Sequence, residues 1–169
     1  FGHVVRDVNY IKDANQFLVR AVDLLNQKDA EELFDYVVVA NGHFSVPNLP
    51  TFTGIDNFPG RVIHGHDFRD AAEFQGQRLL IVGASYSAED IALQSKKYGA
   101  TSVTCSYRTT PMGFDWPDGI EELPLIDHFD GETAHFSNGA KRDFDSIILC
   151  TGYLHHFPFL TEELRLITT

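Results

Sequence analysis

The stretch "LLIVGASYSAED", residues 79–90, runs from an apolar segment into a glycine, then small and hydroxylated residues, then the opening of a helix. An anion-binding turn of this kind needs a small residue at three places: where the chain turns tightly, where backbone approaches the anion, and where helix meets strand. Gly83, Ser85 and Ala88 stand at those places. Serine at the second adds only a methylene and a hydroxyl, so backbone still comes close and the hydroxyl can donate to an oxyanion. The ligand that such a turn fits is the pyrophosphate of a dinucleotide, held at the start of a helix. A strand–turn–helix with a purely structural role remains the alternative at this point. Ser87 and Asp90 have the spacing of a capping box, predicting a helix start at Ser87. Glu89 and Asp90 suit the positive end of that helix, Lys96 and Lys97 the negative end.

The end of the following strand tells which dinucleotide. NAD-binding units offer a carboxylate about 20 residues beyond the glycines, to bind ribose hydroxyls. Here the text is "CSYRTT" instead, and Arg108 with Thr109 and Thr110 would collect a 2′-phosphate. NADP(H) is therefore expected over NAD, the alternative for Arg108 being an ordinary exposed arginine at a strand end.

The elements that must position these residues follow from apolar periodicity and turn signals. Strands are expected at residues 4–10, 16–24 and 33–40, forming a meander that ends at Asn41-Gly42. A proline-rich loop leads to a short strand at 61–64. A strand at 78–82, a helix at 87–98 closed by Gly99 and a strand at 102–106 make one β-α-β unit. An irregular stretch, "TTPMGFDWPDGIEELP", then precedes a hairpin turning at Ser137-Asn138-Gly139 and a last strand at 146–150. "FDYVVVANG" (34–42) and "FDSIILCTG" (144–152) share one plan, so two related units are expected, the first without its own β-α-β opening. The chain accordingly reads as part of a longer protein.

At 169 residues and 43% hydrophobic, the sequence can bury a core of its own. A net charge of −11 repels nucleic acid and anionic membranes, so neither is an expected partner and any anionic ligand must be held by local donors. No apolar run is long enough to span a membrane and no leader is visible, which points to the cytoplasm. Cys105 and Cys150 lack a C-x-x-C partner and read as buried, reduced thiols. Eight histidines include His64, His66, His155 and His156, but no third ligand has suitable spacing, so no metal site is expected.

"FPGRVIHGHDFRD" (58–70), with Phe58, Gly60, His64 and Phe68, resembles the Phe-x-Gly-x-x-x-His-x-x-x-Phe/Tyr fingerprint of flavin-containing monooxygenases. Baeyer–Villiger enzymes end that fingerprint in tryptophan, and Phe68 speaks against them. "VGASYSAEDIA", "SYRTTPMGFDWP" and "ILCTGYLHHFPFL" are similar to the bacterial branch of the family that oxygenates small tertiary amines such as trimethylamine. The resemblance implies an α/β fold: a Rossmann-like NADPH-binding domain, a parallel sheet with a β-meander, flanked by partial FAD-domain segments. It implies residues 1–70 as the end of a first FAD-domain segment and linker, 71–149 as the NADPH-binding domain, and 150–169 as the return into the FAD domain. It also implies NADP(H) held by Gly83, Ser85, Tyr86, Ser87, Arg108 and Thr109. Asn41-Gly42 and Thr151-Gly152 would mark two crossings on the flavin side. The partners implied are a small amine and oxygen; whether the full-length enzyme is a homodimer stays open. No residue of this stretch is expected to be catalytic, since the cofactor carries the difficult chemistry. His64 is expected to be buried and structural. The family's amino-terminal FAD glycine motif has no counterpart here. Two other readings remain: a nucleotide-binding module without turnover, and a flavin reductase of the disulfide-reductase type.

Overall fold

The computed structural model describes residues 1–165 and divides into two compact units, Phe1–Val46 with Tyr153–Thr169, and Pro47–Gly152. The last four residues of the predicted 150–169 segment lie outside the described residues.

In the first unit β1 (His3–Ile11), β2 (Gln16–Asp23) and β3 (Lys28–Phe34) form an antiparallel meander. Val8 of β1 is buried, and its N–H donates to the Phe159 carbonyl at 2.7 Å. The meander is as expected, but its third strand is not at 33–40. It pairs Lys28 with Asp23 and Phe34 with Phe17. Because β2 begins at Gln16, the ladder has no partner for the chain beyond that point, and the apolar run from Tyr36 to Val39 lies outside any strand. Pairing overrode side-chain pattern here, since "KDAEELF" carries no apolar alternation and is exposed throughout. The chain passes between the units at β4 (Val46–Pro47) and returns at β13 (Tyr153–Leu154).

The second unit is built on five strands: β5 (Arg61–His64), β6 (Arg78–Val82), β7 (Ser102–Ser106), β8 (Ile120–Leu123) and β12 (Ser146–Leu149). All pairings are parallel, in the order β5-β12-β6-β7-β8. Such a sheet must be covered on both faces, and the sequence supplies both covers. On one side Leu79, Ile81, Val103, Cys105 and Ile148 pack against Ala88, Ile91 and Ala92 of α1 (Tyr86–Lys97). On the other, Leu80, Val82, Ile147 and Leu149 pack against Phe129, Ala134 and Phe136. Those three belong to an antiparallel trio, β9 (Ile126–Asp130), β10 (Thr133–Phe136) and β11 (Lys141–Asp143). The strict alternation of faces is the period-two geometry of a strand. β8 falls within the stretch expected to be irregular; its backbone pairs with β7 from Val103↔Ile120 to Ser106↔Leu123.

The fingerprint residues of the 58–70 segment are part of this packing. Phe58 joins the core under β9, and Phe68 stacks on Phe74 at 6.0 Å between ring centres. A Cβ at Gly60 would overlap the Asp145 carbonyl oxygen, which accounts for glycine there.

At the amino-terminal edge of the sheet Arg78 binds Asp145 through Nε at 3.1 Å and Nη2 at 2.8 Å, and the Arg78 N–H donates to the same carboxylate at 2.7 Å. Hydrogen bonds from Arg78 hold the Asp145 carboxyl below the usual carboxylate range. A carboxyl depressed on folding stabilises the protein above its unfolded pKa of about 3.9 and loses that contribution as pH falls through this value and below. Thermal melts between pH 7 and pH 3 should therefore show an acid limb that is shallower in Asp145→Asn, and the variant should be less stable at neutral pH.

Candidate dinucleotide site at the carboxyl edge of the parallel sheet

Because all five strands run the same way, their carboxyl ends share one edge. The register draws a single row across it, His64–Leu149–Val82–Ser106–Leu123. Just beyond that row lie Thr151-Gly152 after β12, Gly83 after β6 and Arg108-Thr109 after β7. The chain leaves β6 for α1 and β7 on one side, while β12 and β5 lie on the other. Open α/β sheets bind ligands at such a point of reversal.

Gly83 has φ +140°, and a Cβ there would overlap the Cys150 carbonyl oxygen. Its N–H donates to the Ser106 carbonyl at 2.9 Å, and the Cys150 N–H donates to Val82 O at 2.8 Å. Three strand ends are thus laced together where the chain turns. Ser85 follows in extended conformation as the residue before the helix, and its carbonyl accepts from the N–H groups of Ala88 and Glu89. The predicted capping box does not form: α1 begins at Tyr86, and Ser87 lies inside its first turn. Ser85 takes the cap conformation two residues earlier, yet its hydroxyl makes no capping bond. The first N–H groups of a helix have no intrahelical acceptor, so this end presents donors with no side chain folded over them. Tyr86 and Ser87 are exposed beside it.

Arg108 and Thr109 are exposed at the end of the neighbouring strand, and Arg108 makes no ion pair among the described residues. Thr151 donates through its hydroxyl to the Asn48 carbonyl at 2.6 Å, and Asn48 returns a backbone bond to the Gly152 carbonyl at 2.9 Å and a side-chain bond to the Thr151 carbonyl at 3.2 Å. Sequence reading missed Asn48; a polar residue between two prolines gave no other signal. Gly152 has φ +78°, a turn that favours glycine. Asn41 and Gly42 belong to the first unit, both exposed, with Gly42 at φ +75°. The structure therefore brings Gly83, Ser85, Tyr86, Ser87, Arg108, Thr109, Thr151 and Gly152 to one edge, and carries Asn41-Gly42 in the other unit.

His64 is buried at this edge, as expected of a structural residue, and its Nδ1 accepts from the His66 N–H at 3.0 Å. Burial pushes its pKa below the ordinary histidine value, against a hydrogen bond with the Gly152 backbone that favours the charged form. Cys105 and Cys150 are free thiols, each pushed up to about 12 by burial. Among the described residues no group of three or more potential ligands could hold a metal, and no helix is long and apolar enough to cross a membrane.

Comparison with known proteins places this geometry. The model of the flavin-binding monooxygenase-like family matches residues 4–112. The chain belongs to that family. It is 55% identical over 168 residues to a trimethylamine monooxygenase of Methylocella silvestris, covering 99% of the chain and 37% of that relative. The crystal structure of Tmm from a Pelagibacter species superposes with a TM-score of 0.86 at 51% identity, over 99% of this chain and 38% of that one. S-allyl-L-cysteine S-oxygenase of Allium sativum matches with a TM-score of 0.78 at 29% identity, over 96% of this chain and 37% of that one. The chain thus spans somewhat over a third of the length of these relatives.

At the carboxyl edge Gly83 leaves no room for a side chain. Gly83→Ala combines a strained positive φ with overlap on a backbone carbonyl, and should cost roughly 2–5 kcal/mol of stability. Urea unfolding with an unchanged slope and a lowered midpoint is the expected result.

Proposed function

We infer that this chain supplies the NADP(H)-binding part of a flavin monooxygenase that N-oxygenates small tertiary amines such as trimethylamine. The observation that carries the reading is the placement of Gly83, the uncapped start of α1 and unpaired Arg108 on one edge of adjacent parallel strands. The residues fit the cofactor: glycine lets backbone approach a pyrophosphate, the helix start donates to it, and an arginine without a carboxylate partner remains for a 2′-phosphate. Ser85, Tyr86 and Ser87 line the pyrophosphate side, and Arg108 with Thr109 the adenosine ribose. Asn41-Gly42 in the first unit and Thr151-Gly152 in the second are each assigned, separately, as a crossing toward the FAD-binding part. The oxygen-transferring chemistry belongs to the flavin when bound and reduced. What these residues do is bind and orient the nucleotide that reduces it. In this reading residues 71–149 are the NADPH-binding domain, and the compact unit takes in residues 47–70 as well. Residues 1–70 and 150–169 carry the FAD-domain segments. The amine and oxygen are the small-molecule partners, and the cytoplasm is the compartment, in keeping with free buried thiols.

Names of relatives support the amine substrate, since the bacterial relative at 55% identity is a trimethylamine monooxygenase. Exchanging this 169-residue stretch for its counterpart in the Methylocella silvestris enzyme tests it directly. NADPH-dependent oxygen uptake stimulated by trimethylamine is expected in the chimera. A chimera that binds NADPH without uptake would leave a nucleotide-binding module.

Two further outcomes are expected of the chain itself. α1 is the sole α-helix among the described residues, so there is one strand–turn–helix cradle, and the purified chain should bind NADPH yet carry no flavin absorption through gel filtration. Arg108→Ala should weaken NADPH binding about ten- to hundredfold, the loss of a charge-assisted phosphate contact, and leave NADH nearly unaffected. Calorimetric titration of both nucleotides checks it; equal losses would remove the NADP assignment.

A further inference from the structure

Arg108 stands at the start of an excursion from β7 to β8, residues 107–119, that contains no regular element. Backbone bonds secure only its feet: the Tyr107 N–H donates to the Leu123 carbonyl, the Val103 N–H to the Gly119 carbonyl and the Ile120 N–H to the Pro117 carbonyl. Between those feet one side chain takes the loop's hydrogen bonds. Glu122 accepts from the Met112 N–H through Oε1 at 2.6 Å, and through Oε2 from the Gly113 N–H at 3.0 Å and the Trp116 Nε1–H at 3.1 Å.

The position of Glu122 explains why it can do this. It is opposite Cys105 in the parallel ladder, so its side chain emerges on the sheet face covered by α1, the face to which Met112 and Trp116 also fold. Trp116 is further braced by Phe114, edge to face at 5.4 Å. Both carboxylate oxygens face N–H groups and neither is paired with Arg108. The charge that fixes the loop is thereby satisfied locally, and the guanidinium two residues beyond β7 keeps its charge for a ligand.

We propose that Glu122 is the positioning residue of the 2′-phosphate subsite: by gathering three N–H groups of the 107–119 loop it sets where Arg108 and Thr109 stand, and so sets preference for NADPH over NADH. The proposal rests on the NADP(H) reading above. A carboxylate is required because all three partners are donors. The amide of glutamine offers one oxygen and turns an NH2 group toward at least one of them, leaving like groups facing each other.

The test titrates NADPH and NADH separately into the 169-residue chain, wild type and variants. Glu122→Gln should weaken NADPH about tenfold while NADH stays within about twofold, the scale of losing a fixed charge-assisted contact. The emission of Trp116, the sole tryptophan, should shift to the red as the ring leaves its partner. Combining Glu122→Gln with Arg108→Ala should add little to Arg108→Ala alone, because both act through one contact. Trp116→Phe removes one donor without disturbing the strand, and should give a smaller loss confined to NADPH. An unchanged NADPH-to-NADH ratio in Glu122→Gln and Trp116→Phe, with a ratio narrowed by Arg108→Ala, overturns the role of Glu122 and leaves the NADP(H) reading intact. Equal loss of both nucleotides in Glu122→Gln and no change in Trp116→Phe also overturns it, making Glu122 structural only. A ratio unaffected by Arg108→Ala overturns the reading and the proposal together.

Discussion

The carboxyl edge of the second unit depends on one close approach, that of Gly83 to the carbonyl of Cys150. β12 lies between β5 and β6, and its chain must leave the sheet at the level where β6 also ends. A side chain at residue 83 would occupy the exit that Cys150 uses. With glycine the two strand ends remain in contact, Cys150 donates to Val82, and Gly83 donates across to Ser106. The turn into α1 is then fixed, and with it the direction in which the first N–H groups of the helix point. A parallel sheet of short strands has little else to fix it: each strand contributes four or five residues. Their apolar side chains are divided between two faces, each of which makes a core only with its own cover.

That division is what made the β-α-β unit legible. Leu79–Val82 and Ile147–Leu149 are continuous apolar runs, as strands buried on both faces must be, and they are bounded by polar residues and glycine. Segments whose structure comes from backbone pairing were illegible for the same reason. "KDAEELF" becomes β3 because β2 offers it a ladder, and "IEEL" becomes β8 because β7 does. Neither run alternates: β3 is exposed throughout and β8 buries only its end residue Leu123 fully, while Glu121 and Glu122 of β8 are committed to partners on the two sides, Glu121 to Arg142 and Thr104, Glu122 to the loop. The cap was misread by two residues, and the helix start by one, because Ser87 has a capping-box partner in sequence while Ser85 has the required backbone conformation.

The two Phe-Asp segments show the same limit from another side. In the second, Phe144 is buried and Asp145 ties β12 to β6 through Arg78. In the first, Asp35 accepts from Gln16 at 2.9 Å, again binding the segment to a neighbouring strand, yet Phe34 is exposed and the apolar run after it is in no strand. The local use of the aspartate is common to both; strand formation is not. A strand needs a partner at the right register, and side-chain pattern alone carries no information about whether one is within reach.

Charge gives the argument for the site its last step. In a chain of net charge −11, cations are scarce, and six of the eight arginines are already engaged. Arg20, Arg61, Arg78 and Arg142 each pair with a carboxylate, and Arg69 and Arg165 donate to backbone carbonyls. Arg108 does neither, although Glu122 lies on the strand beside it. The three N–H groups that occupy Glu122 keep that carboxylate from closing an ion pair across the loop. An exposed arginine held without a counter-charge, next to an uncapped helix start, is a local positive field on a negatively charged molecule. Such a field is confined to within about a Debye length, roughly 8 Å at physiological salt. It can therefore select an anion that brings its phosphate groups to this edge, while the molecule as a whole still repels polyanions.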